Sequence, residues 1–155
     1  MSAKRSSSEP PAFFPAWLGI VRAYNLCDQL LSRGLAPLGL RTAEHELLMN
    51  LLHHPGSTQQ QLGAQLLTAK SVVSTTVSRL QERGLLVREA DAQDARVWRL
   101  SLSPEGERLA RQALAVQNRV VALMGRQLDA AELPLLQDSA ARISAALQAA
   151  LDAGT

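Results

Sequence analysis

The spacing of apolar positions changes several times along the chain, and each change marks an element. Over residues 14–35, Trp17, Leu18, Val21, Tyr24, Cys27, Leu30 and Leu31 recur at helical intervals. Arg22, Asn25, Gln29, Ser32 and Arg33 form only a narrow polar stripe. That spacing predicts a helix whose apolar face is too wide for one small core, and so a helix buried also against a second molecule. After the break at Pro37-Leu38-Gly39, Thr42 is placed to cap a short helix carrying Leu47, Leu48, Leu51 and Leu52, ended by Pro55-Gly56. Thr58 with Gln61 three residues on makes a capping box for a helix reaching about Leu67. Thr68 is placed to cap the next helix, with Val73, Val77 and Leu80 turned inward and Gly84 as its stop. Two apolar-rich strands then predict a hairpin over residues 85–88 and 97–102, joined by a polar loop at 91–96.

Beyond the hairpin, Ser103-Pro104-Glu105 joins a capping serine, a proline at the first helical position and an acid at the positive helix end. The helix predicted from 104 to about 128 carries Leu109, Ala113, Val116, Val120 and Leu123 at alternating intervals of four and three. Asp129 and Glu132 box a last helix with Leu136, Ala140, Ile143, Leu147 and Leu151, and Pro134 is expected to bend its first turn. These seams and the overly apolar first helix cannot all be covered by one small core. Helices of two chains wrapped around a two-fold axis would cover them. The expected fold is mainly α with a small β-hairpin wing: a winged helix-turn-helix lobe plus long helices forming an intertwined homodimer.

Composition adds less. With 155 residues, 46% of them hydrophobic, the chain is long enough for one core and one domain. The net charge of +2 permits an anionic partner without requiring one, so the charge argument is local. Lys70, Ser71, Val72, Ser74, Thr75, Ser78 and Arg79 share the outward face of the helix after Thr68, and no carboxylate interrupts it before Glu82. A face kept only for solubility interleaves acids with its bases. Short hydroxyls, a methyl-bearing side chain and long cations are what a helix in a DNA major groove uses. A single cysteine excludes an intramolecular disulfide and fits a reducing compartment. The first residues lack the apolar core of a secretory leader, and no apolar run is long enough to cross a membrane, so a cytoplasmic protein is expected.

The run from Gly39 to Gly106 resembles the MarR family of bacterial winged helix-turn-helix regulators. The resemblance is carried by Gly39-Leu40-Arg41-Thr42, by Pro55-Gly56-Ser57-Thr58-Gln59 leading to Leu62, by Lys70-Ser71, and by Leu80-Gln81-Glu82-Arg83-Gly84-Leu85. Arg88, Asp91-Ala92-Gln93-Asp94-Ala95-Arg96 and Leu102-Ser103-Pro104-Glu105-Gly106 complete it, in the family's order. The expected organisation is a disordered tail at 1–11 and a single MarR-like domain at 12–155. Within that domain 12–41 and 104–155 would supply dimerisation helices and 42–103 the DNA-binding lobe. The resemblance implies a transcription regulator, expected to be a repressor, whose two lobes read an inverted repeat. The helix bearing Lys70 to Arg79 would enter the major groove and Arg96 an adjacent minor groove, with Asp94 holding the arginine. Two departures stand out: Ala95 replaces a usual basic wing residue, and Val72 and Thr75 replace a usual threonine and arginine.

The same resemblance implies release by a small aromatic acid or phenol bound between dimer helices and lobe. Trp17, Arg22, Tyr24 and His45 come from the segments that would line such a cleft, although the two aromatics serve equally as interface core. Cys27 invites a redox-sensing reading, but it lies far along its helix with no flanking base, and a buried, inert cysteine is the simpler reading. Glu44-His45 resembles half of a zinc-sensing set whose other histidines are missing from residues 104–128, so no metal is expected. No phosphate loop, nucleophile elbow or supported acid pair suggests an enzyme. The alternative of another class is a helical dimeric interaction protein that does not bind DNA.

Overall fold

A computed structural model of the chain describes residues 11–66 and 68–154. Nearly all of the expected tail, and the expected helix end at Leu67, lie outside the described residues. The elements run α1 (Phe14–Leu35), a 3-10 turn (Ala36–Leu38), α2 (Thr42–His53), α3 (Gln59–Leu66), α4 (Lys70–Glu82), β1 (Leu86–Ala90), β2 (Trp98–Leu102), α5 (Pro104–Gly125) and α6 (Glu132–Asp152). The fold is mainly helical with one antiparallel hairpin, as the periodicity predicts. The described residues up to Val116 form one compact unit, and those from Gln117 form another.

In the first unit the core is built of small and medium aliphatic side chains. Leu47, Leu48 and Leu51 of α2, Leu62 of α3, and Val73, Val77 and Leu80 of α4 are buried against Leu35, Leu100, Leu109 and Ala113. Strand pairing sets Leu86 opposite Leu102 and Arg88 opposite Leu100. A bridge between Ser57 and Leu100 ties β2 to the turn after α2, with Leu100 N donating to Ser57 O at 3.0 Å.

The capping boxes at Thr58 and Asp129 form as read. Thr58 N donates to Gln61 Oε1 at 2.8 Å and Gln61 N to Thr58 Oγ1 at 3.2 Å. Asp129 N donates to Glu132 Oε2 at 2.9 Å and Glu132 N to Asp129 Oδ1 at 3.0 Å. Two other caps are corrected. Arg41, in extended conformation, precedes α2, so Thr42 is its first helical residue. Ala69 precedes α4 and offers no side-chain oxygen, so Thr68 is not the cap. In both cases the hydroxyl stands one place from where the extended backbone turns helical. The fifth helix ends at Gly125, short of the expected 128, because Gln127 and Leu128 close tight turns onto Met124 and Gly125.

The breadth of the α1 apolar face is real. Trp17, Leu18, Ile20, Val21, Leu26 and Leu30 remain substantially exposed, and only Leu35 of that helix is buried. In the second unit, α6 has no buried residue among those described, and Leu136, Leu147 and Leu151 are each more than half exposed.

Candidate nucleic-acid interface

The outward face of α4 is set by the one beneath it. Val73, Thr76, Val77 and Leu80 are buried, which leaves Lys70, Ser71, Val72, Ser74, Thr75 and Ser78 exposed and Arg79 partly so. All seven residues read from the sequence therefore lie on one solvent-facing surface. Thr75 Oγ1 donates to Ser71 O at 2.9 Å and Thr76 Oγ1 to Val72 O at 2.8 Å. These back-bonds hold both hydroxyls against the helix, and the exposed Thr75 oxygen keeps lone pairs with which to accept. Because Ala69 provides no side-chain cap, the first amides of α4 are left to solvent or to an anion.

The hairpin loop is ordered by two aspartates. Asp94 receives both Nε and Nη2 of Arg96 at 3.1 Å, a bidentate pair, and also Arg96 N at 3.0 Å. The arginine side chain is nonetheless 91% exposed, so the pair aims a cation outward without hiding it. Asp91 accepts Gln93 N at 2.9 Å and Asp94 N at 3.1 Å, closing the loop, and also receives Arg99 Nε. Arg99 Nη1 reaches on to Gly56 O at 3.0 Å. Arg88, whose guanidinium lies 4.3 Å from the Trp98 ring centre, belongs to the motif run, whereas no motif singles out Arg99. Alternation along the strands could have paired Arg88 with Trp98, since cross-strand diagonal neighbours touch when side chains are long.

The hydrogen bonds from Arg96 hold the Asp94 carboxyl below the usual aspartate range, and backbone amides, chiefly that of Gln93, do the same for Asp91 before Arg99 adds its part. Both groups have depressed folded values. The loop order they give is therefore complete above the ordinary aspartate pKa of about 3.9 and is lost only as pH falls through the lower folded values. Carboxyl NMR titration is expected to place both midpoints below that value. Arg96→Ala is expected to return Asp94 toward it while Asp91 stays low; an Asp94 midpoint unmoved by the substitution would contradict this assignment.

The other candidate residues are not gathered in the same way. Trp17, Arg22 and Tyr24 are exposed on α1, and Trp17 stacks on Phe14 with ring centres 5.4 Å apart. His45 is only 2% exposed within the lobe. Cys27, on α1, is half-buried in the single chain, not buried as expected. Among the described residues no group of three or more His, Cys, Asp or Glu is placed to hold a metal, and no helix is long and apolar enough to cross a membrane.

Residues 38–97 match the model of the MarR family. An uncharacterized HTH-type transcriptional regulator of Bacillus cereus (strain ATCC 14579) is 29% identical over 101 residues, covering 65% of this chain and 67% of the relative. The crystal structure of the MarR family transcription regulator SP03579 superposes with a TM-score of 0.77 at 25% identity, covering 88% of this chain and 92% of the other. The S. aureus MepR-DNA complex shares the fold, with a TM-score of 0.77 at 20% identity, covering 84% of this chain and 96% of that one.

Proposed function

The chain belongs to the MarR family of DNA-binding, winged helix-turn-helix transcription regulators, and from that premise we propose that two copies act as a homodimeric repressor on an inverted-repeat operator. The reading is cytoplasmic and non-enzymatic. One observation carries it: the solvent-facing side of α4, from Lys70 to Arg79, holds hydroxyls, one exposed valine and cations but no carboxylate. Each α4 enters a major groove, where Ser74 and Thr75 face base edges and Val72 offers a methyl surface to thymine. Arg96, presented by Asp94, enters the flanking minor groove, where a narrow groove concentrates negative potential. Ala95 adds no cation beside it. The effector proposed is a small aromatic acid or phenol held near Trp17, Arg22 and Tyr24, without His45, which is buried in the lobe; its binding is expected to change tryptophan fluorescence and release the operator.

Gel-shift titration over a range of salt tests the DNA contacts. Arg96→Ala is expected to weaken operator and random duplex alike and to flatten the dependence of log K on log salt by about one unit. Thr75→Val is expected instead to change which duplex is preferred, at about 1–3 kcal/mol for a lost base contact. An unchanged slope for the first, or equal loss on all duplexes for the second, removes that residue from its role.

A further inference from the structure

The outward face of α4 lacks acids, yet α2 places one beneath it. Glu44, in the first turn of α2, is 3% exposed. Its Oε2 accepts Arg41 N at 2.8 Å. Its Oε1 lies 3.4 Å from Arg83 Nη1 and 3.9 Å from Arg79 Nη1, and the same Arg83 Nη1 donates to Gly39 O at 3.0 Å. Starting α2 requires only the first of these contacts. The second oxygen is turned to α4, at the floor of a depression of about 330 Å³ lined by Arg41, Glu44, Ser71, Thr75 and Arg79.

The geometry points to Glu44 as a positioning residue of the DNA interface. Within ion-pair range, it biases Arg79 toward one side of the reading face and offsets part of the charge of Arg79 and Arg83. A carboxylate removed from water acts on a neighbouring cation more strongly than an exposed one does. A guanidinium already ordered loses less freedom when it meets its target. Phosphates attract a loose arginine wherever it lies, whereas a held one reaches only the edge at which it is aimed. Glu44 thus favours discrimination between sequences, although by sign alone it opposes DNA. The inference rests on α4 entering the groove as proposed above.

The test uses the duplex that the full-length wild-type protein selects from random DNA, and a scrambled duplex of the same composition. Glu44→Gln keeps an acceptor for Arg41 N and removes the charge. Glu46→Gln, on the same helix but exposed, removes the same charge elsewhere. Relative to Glu46→Gln, Glu44→Gln is expected to tighten binding to the scrambled duplex, steepen its salt dependence by about one unit and lower the selected-to-scrambled affinity ratio about tenfold, the order of one base contact. In an Arg79→Ala background that difference in ratio is expected to vanish. Arg79→Lys, which keeps the charge at a partly exposed site, is expected to lower the ratio as well. A ratio equal to that of Glu46→Gln, a fall that persists without Arg79, or no effect of Arg79→Lys overturns the role of Glu44. Wild-type protein that selects no duplex overturns the DNA reading itself, and this inference with it.

Discussion

Gly106→Ala is expected to cost the protein about 3 kcal/mol or more, seen as a fall of roughly 6–12 °C in the thermal melt at fixed protein concentration. A Cβ at this position would stand 2.0 Å from Leu85 O and 2.9 Å from its carbonyl carbon. No rotamer change relieves a clash with backbone, and this backbone is held on both sides. Leu85 N donates to Leu80 O at 2.9 Å, and Leu85 O accepts Ser103 N at 3.0 Å. Ser103 Oγ donates to Gly84 O at 2.7 Å and accepts Gly106 N at 3.0 Å. The end of α4, the start of β1 and the first turn of α5 therefore meet at one point, and the glycine is what lets them close. Gly125→Ala, where no atom lies within 4 Å, is expected to leave the melt unchanged or raise it. Similar melting of both variants would show that the closure at Gly106 is not sterically tight.

Charge placed on the exposed face of α1 is expected to have the other large effect. Leu18 and Val21 are 48% and 37% exposed in the single chain. In the proposed dimer that surface is covered, and a buried unpaired carboxylate there costs several kcal/mol. The double variant Leu18→Glu, Val21→Glu is expected to sediment as a monomer and to bind the operator at least about a hundredfold more weakly, since the two lobes then no longer bind as one bivalent unit. Ser32→Glu, on the polar stripe, serves as the control and is expected to change neither property. A double variant that keeps the mass of a dimer would place the partner on another surface.

Local signals were the most legible in the sequence. A capping box, a glycine stop and a hydroxyl before proline each act within a few residues, so Thr58, Gly84, Ser103 and Asp129 behave as their neighbours dictate. The pair Asp94 and Arg96 was legible from the resemblance, and its two-residue separation keeps the contact local. Glu44 was not, because its meaning comes from arginines a whole helix pair away along the chain, and Asp91 needed the hairpin register to find Arg99. The misplaced caps at Thr42 and Thr68 show the limit of a hydroxyl signal, which marks a helix start to within a residue but does not choose the residue. The set Trp17, Arg22, Tyr24 and His45 could not be decided by periodicity, since helical spacing does not tell which chain covers a face.

Arg99 clasps the loop through Asp91 and the preceding turn through Gly56 O, and so fastens the fingertip at Arg96 to the palm. Freezing a floppy appendage at the moment of encounter would slow capture and squander affinity. A pointer stiffened beforehand can probe many wrong sites quickly and leave each one as quickly, which is what a searcher among a genome of decoys requires.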